Sequence, residues 1–255
     1  MSSLEPNNIQ VCGRVFRSFS RPEIHPVVSE LLSSSPHGRV LDFPCGSGAL
    51  TWRLHNDGHE VTGADISPEA FENPDLKVVQ ADLQLRFPFE DNSFDYACFV
   101  EGPEHVENVF HCLREFSRIL KADGILILTI PNYSNLEHRL KTLFSGASEP
   151  MTSFDQVVRD LGGNVHMLHI NRLTFPMLKT ALEFSGFSIE ALARDKQKRK
   201  QMLLWPLAVL IHLVSFMSGQ RHRNKYWVDA NNANTVLMGG NTLIVKARNM
   251  KSVCD

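Results

Sequence analysis

The strongest signal in the chain is the run Arg39-Val40-Leu41-Asp42-Phe43-Pro44-Cys45-Gly46-Ser47-Gly48. Its apolar start, 40–43, reads as a buried strand that passes through a glycine turn directly into a helix at 49–56. Glycine is needed where the backbone takes positive φ or approaches a ligand closely. Gly46 and Gly48 can therefore bring main-chain N–H groups to a bound nucleotide or amino acid. Open α/β sheets bind ligands at the carboxyl ends of their strands, where this turn lies.

Outward from the turn, short apolar runs alternate with helical patterns as far as residue 130, the signature of βαβ units and a parallel sheet. Strands are expected at 40–43, 60–64, 77–80, 94–98 and 124–130. Before the last of these, Val109, Leu113, Phe116 and Leu120 recur at helical spacing, and Asp123-Gly124 ends the connection. From Pro131 to Gly163 the pattern is irregular, with loop signals at Gly146, Pro150 and Gly162-Gly163 around a short helix, Phe154–Leu161. This reads as an insertion over the rim of the sheet. A helix over 175–185, closed by Gly186, leads into a strand at 187–192, and a strand at 242–247 closes the fold.

Two further acids strengthen the turn's meaning. Asp65 ends the second strand 23 residues beyond Asp42, where a carboxylate can take both hydroxyls of a ribose. Asp82 follows the third strand, where it can accept from an adenine amino group while the Leu83 N–H meets the ring. A single strand-end aspartate is as well explained by helix capping, but three on successive strands share one rim.

The 255 residues carry 26 Lys and Arg against 28 Asp and Glu. The formal charge of -2 offers a polyanion no global attraction, so no nucleic-acid partner is expected. Five scattered cysteines without a C-x-x-C pair argue against a disulfide framework or a zinc site and fit a reducing cytoplasm. The polar first ten residues lack a signal-peptide pattern. The longest apolar stretch, 202–217, is interrupted by Pro206 and His212 and falls short of the ~20 residues of a spanning helix. One domain is expected, with an N-terminal cover over 1–37, a cofactor-binding core over 38–132 and a substrate-side region over 133–193. An insertion over 194–240 and a last strand and tail over 241–255 complete it.

With these residues in order, the stretch from Arg39 to Asn132 resembles the core of class I S-adenosylmethionine-dependent methyltransferases, in particular the ubiquinone-biosynthesis O-methyltransferases and their bacterial relatives. The resemblance implies a doubly wound, mostly parallel, seven-stranded Rossmann-like α/β sheet whose last strand is antiparallel, with S-adenosyl-L-methionine as cofactor. It sets Asp42, Gly46, Ser47 and Gly48 around the methionine part and Asp65, with Ile66 beside it, at the ribose. Asp82 and Leu83 fall at the adenine, and Val100 and Glu101 on the inner face of the site. Pro44 departs from the pattern, standing where many relatives have their first glycine. Proline has no N–H, so the loop is expected to use the amides of Cys45 to Gly48 instead. A nicotinamide-dependent oxidoreductase or epimerase shares the fold, but its fingerprint needs a third glycine where Thr51 stands, and no Tyr-x-x-x-Lys pair follows. A non-catalytic cofactor-binding module is the other alternative.

Methyl transfer from a sulfonium is an in-line displacement in which positioning supplies much of the rate, and a hydroxyl acceptor gains from deprotonation. After the fourth strand comes Glu101-Gly102-Pro103-Glu104-His105, which resembles the Glu-x-x-Glu-His pattern of the ubiquinone-pathway enzymes and of small-RNA 2′-O-methyltransferases. In those families these side chains, with a later histidine, can bind a divalent cation. The resemblance makes His105 and Glu104 the candidate catalytic residues. Glu101, Glu104, His105 and His169 become candidate metal ligands, with His166 a neighbour that can substitute. The plainer alternative is that Glu104 and His105 start a helix and shape the pocket. The expected acceptor is a small-molecule or lipid-linked compound methylated on oxygen.

Five basic residues lie between Arg194 and Lys200, an apolar segment containing Trp205 follows, and Arg221, Arg223 and Lys225 form a second basic cluster. Such a segment suits the headgroup boundary of a membrane, through peripheral contact of 202–218 from the cytoplasmic side. A lid or dimer seam suits it equally, because it is apolar nearly all round. Near the start, a short helix is expected after Pro26, packing Val27, Val28, Leu31 and Leu32 on the sheet, and the part carrying Arg14, Arg17 and Arg21 is expected to cover the cofactor.

Overall fold

The computed structural model describes residues 7–18, 20–150, 153–161 and 168–251. A hairpin of β1 (Asn7–Val11) and β2 (Arg14–Ser18) precedes a seven-stranded sheet. The sheet's strands are β3 (Arg39–Asp42), β4 (Glu60–Asp65), β5 (Lys77–Gln80), β6 (Phe94–Phe99), β7 (Leu120–Pro131), β8 (Phe187–Arg194) and β9 (Thr242–Asn249). Their spatial order is 5-4-3-6-7-9-8, with β3 to β7 parallel and β9 antiparallel to both its neighbours. The chain leaves β3 in one direction across the sheet and later resumes at β6 in the other. That switch point opens a crevice at the strands' carboxyl ends.

The helices are α1 (Ile24–Ser33), α2 (Ala49–Asn56), α3 (Val109–Ile119), α4 (Leu136–Ser145), α5 (Phe154–Leu161), α6 (Phe175–Phe184), α7 (Trp205–Met217), α8 (Gln220–Lys225), α9 (Val228–Asn231) and α10 (Asn234–Leu237). Side chains alternate across each strand, so Leu41, Ala97 and Leu126 face the layer of α3 and α6. Val40, Cys98 and Ile125 face α1 and α2. Both faces are covered, which is why the central strands read as continuous apolar runs. Phe116 of α3 is fully buried among Phe43, Phe87 and Phe99, with ring centroids 6.4, 5.0 and 4.9 Å away.

Several boundaries differ from the sequence reading. Leu120 belongs to β7 rather than to the preceding helix. It pairs with Phe94, and the register then shifts so that Tyr96 meets Ile125, which accommodates Asp123 at φ +59° within the strand. α1 starts two residues before Pro26, which the first turn tolerates because its N–H has no helical partner there. The hairpin was not anticipated, although Cys12-Gly13, both at positive φ between alternating apolar residues, is a turn signal. α4 was also missed. The Asn135 side chain accepts from His138 N–H at its start, and Gly146 at φ +74° closes it. His166 lies outside the described residues.

The insertion between β8 and β9 is folded back on the body. Leu204, Leu207, Ala208 and Ile211 pack against Leu136 and Leu140 of α4 and against Leu237 and Met238. Arg139 ties the two together. Its Nε donates to the Ser134 carbonyl (2.7 Å), Nη1 to Asn232 Oδ1 (2.6 Å) and Nη2 to the Asn231 carbonyl (2.6 Å). No helix among the described residues is long and apolar enough to cross a membrane.

Candidate active site

Asp42 ends β3 with its side chain fully buried. One carboxylate oxygen accepts from the Thr51 hydroxyl (2.6 Å), while Oδ1 has no partner. Burial pushes this carboxyl up to about 7; the Thr51 bond opposes the shift and the neighbouring Asp65 adds to it. Thr51 therefore stands where a dinucleotide fingerprint would have glycine because it holds the rim's central acid.

Gly46 and Gly48 take φ of +50° and +87°, as the turn requires. A Cβ at Gly48 would lie 2.4 Å from Phe71 Cε2, so that position also has no room for a side chain. The expectation that the amides of Cys45 to Gly48 face a ligand is corrected at three of the four. The Cys45 N–H donates to the Ala64 carbonyl, the Gly48 N–H to the Cys45 carbonyl, and the Gly46 N–H to Asp65 Oδ2 (2.9 Å). Asp65 Oδ1 takes the Ser67 N–H (3.0 Å). A buried carboxylate beside the loop collects nearby amides, so Asp65 braces the loop, and each of its oxygens keeps a lone pair for a further donor. The segment after it folds back as well, Glu72 N–H donating to the Ser47 carbonyl. Arg17 and Arg14 of the hairpin pin this segment at Glu72, Asn73 and Asp75. Ile66 is exposed next to Asp65, and Pro44 follows Phe43 through a cis peptide bond.

In the loop after β5, Asp82 accepts from the Gln84 N–H (2.8 Å), and Leu83 packs against the core. Across the crevice, Val100 is buried and Glu101 turns the chain at φ +51°. The Glu101 N–H donates to Thr129 Oγ1 (2.8 Å), and that hydroxyl in turn lies 3.3 Å from Glu101 Oε1. Burial raises the Glu101 carboxyl above its ordinary range, against the pull of Thr129 and of the Arg21 charge.

Glu104 is buried with neither carboxylate oxygen hydrogen-bonded, and burial together with the Glu101 charge raises it well above the usual range. His105 Nδ1 lies 3.2 Å from the Leu168 carbonyl, and its ring meets His169 edge-on at 4.8 Å. One ligand atom each from Glu104, His105 and His169 can be chosen so that all lie within 4.8 Å of one another; Glu101 is not in that group. His169 keeps an exposed edge, but partial desolvation, with the charges of His105 and Arg172, pushes it down to about 4.

Residues 41–128 match the protein family described as a methyltransferase domain. Over this segment the chain resembles methyltransferase domains. A sterol 4-C-methyltransferase of Caenorhabditis elegans is 31% identical over 116 residues, 41% of this chain and 34% of the relative. A demethylmenaquinone methyltransferase of Staphylococcus aureus is 35% identical over 101 residues, 35% of this chain and 41% of the relative. The chain thus spans between a third and two-fifths of the length of these curated relatives. Among solved structures, an S-adenosylmethionine-dependent methyltransferase from Mesorhizobium loti superposes with a TM-score of 0.57 over 88% of this chain and 96% of that one, at 18% identity, a likeness of fold.

Thr51, Phe71, Thr129 and Tyr133 shape the rim without having been singled out for it. Burial, and next the Glu104 charge, raises the Tyr133 phenol to about 12. Thr129 and Tyr133 lie at and just past the end of β7, and the rule that strand ends line the crevice is the signal that would have found them.

Proposed function

We propose that this chain transfers the methyl group of S-adenosylmethionine to the oxygen of an apolar small-molecule or lipid-linked acceptor. The observation that carries this reading is buried acid without a matching cation: Asp42 Oδ1 and both oxygens of Glu104 have no partner, and Asp42, Glu101 and Glu104 are all raised. A buried carboxyl in that state is relieved by a cation bound beside it. S-adenosylmethionine brings a sulfonium and an α-ammonium, whereas a dinucleotide brings pyrophosphate charges that the same acids repel. The relatives named for a sterol and for demethylmenaquinone support an apolar acceptor.

S-adenosylmethionine supplies the electrophilic methyl group when bound. Asp42, Glu101 and the 46–48 loop would hold its methionine end, Asp65, Asp82 and Leu83 its adenosyl part, and His105 would take the proton from the acceptor hydroxyl. A second reading of the same cluster is favoured by the unpartnered, buried Glu104. Glu104, His105 and the neutral His169 fit a divalent cation, whose chemistry would be to acidify the acceptor hydroxyl. Methyl-labelled donor incubated with the chain and a lipid extract tests both. Organic-soluble label is expected, falling about 10²–10⁴-fold in His105→Ala. Survival of transfer under exhaustive chelation supports His105 as the proton acceptor, and its loss supports the cation. Undiminished transfer in His105→Ala removes this residue from the chemistry.

A further inference from the structure

Residues 194–240 hold eight lysines and arginines against two aspartates, a formal +6, so the rest of the chain carries -8. Within that region α7 contains no charged residue over 13 positions, about 20 Å of helix. One side of it is occupied by α4 and Leu237. The other presents Trp205, Leu210, Leu213, Val214, Phe216 and Met217, all exposed, the last two at 79% and 83%. Leu143 and Phe144 lie at the end of α4, just beyond the Leu140 that packs on α7, and extend the apolar surface at 74% and 84% exposure. Arg199 before α7, and Arg221 and Lys225 after it, are exposed, and among the described residues none of the three has an ion pair.

A contiguous apolar surface of this kind marks an interaction site. A two-fold dimer would set the patch against its own copy and bring the two +6 regions face to face. An anionic lipid surface takes up the apolar side chains and neutralises the cations at once. We propose that the α7–α4 face docks on an anionic lipid surface, with α7 lying along the headgroup boundary and Arg199, Arg221 and Lys225 on lipid phosphates. α4 begins at Leu136, three residues past Tyr133 at the carboxyl rim, so the docking face belongs to the same stretch of chain that borders the crevice. This holds whatever reaction the rim performs.

The test is flotation of the full chain with phosphatidylcholine vesicles and with vesicles that also contain phosphatidylglycerol. The expected result is recovery with the anionic vesicles, reduced by salt. Recovery falls about tenfold or more in Leu213→Glu/Phe216→Glu and also in Arg199→Glu/Arg221→Glu/Lys225→Glu, each with the melting curve of the parent. The charge variant replaces three exposed side chains, of which Lys225 lies over the exposed Tyr226 ring, and keeps the test valid if the apolar variant does not fold. No recovery with either vesicle overturns the proposal. So does a chain that is dimeric in solution, is made monomeric by Leu213→Glu/Phe216→Glu, and never floats.

Discussion

The parallel half of the sheet and the insertion before β9 treat charge in opposite ways. Around β3 and β6 the chain buries carboxyls with no cation opposite them, at Asp42 and Glu104. Between β8 and β9 it exposes cations beside an apolar helix. Each region carries an imbalance that the folded chain does not resolve internally, and each imbalance names the sign of what relieves it: a cation within the crevice, an anionic surface outside. Stability alone would favour neither, since unpaired buried charge and exposed apolar surface both work against folding in water.

The largest expected effect that separates the two regions is at Gly48. Alanine there must hold φ near +87° and displace the Phe71 ring, so Gly48→Ala should weaken binding of S-adenosylmethionine on the order of a hundredfold, about 2.7 kcal/mol, by calorimetry. Vesicle flotation should be unchanged. A smaller effect of opposite kind is expected at Arg139, whose guanidinium bonds join α4 to Asn231 and Asn232. Arg139→Ala should lower stability to denaturant by about 1–3 kcal/mol, leave donor affinity within about twofold, and weaken flotation. A loss of donor binding in Arg139→Ala would show that the two regions are not independent.

The parallel half was legible because each signal there is local. β3 and β4 follow from apolar runs, α2 from the residues after Gly48, and the rim acids from the strand ends that carry them. What the sequence did not reveal depends on contacts between distant segments. That Asp65 also takes the Gly46 and Ser67 amides depends on how β4 sits beside the loop. The side that α7 buries could not be read from a helix apolar all round, because no period distinguishes one face; α4 and Leu237 decide it. Glu101 was grouped with Glu104, His105 and His169 by the resemblance; in the fold the other three lie together, while the Glu101 side chain lies against Thr129 on the neighbouring strand.

The central claim is that buried acid at the rim accepts a cationic methyl donor, and its most direct test is the proton balance of binding. Asp42 titrates at about 7 in the folded chain against an ordinary 3.8, so the native state holds an extra proton between those values. Its contribution to stability therefore falls as pH rises through that window and levels off above it. A cation bound beside Asp42 favours the ionised carboxyl. Calorimetric titration with S-adenosylmethionine, in buffers of different ionisation enthalpy, should then show proton release below about pH 7 and affinity that rises with pH before flattening, both diminished in Asp42→Asn. No binding, or binding whose affinity falls as pH rises with protons taken up, would contradict the account.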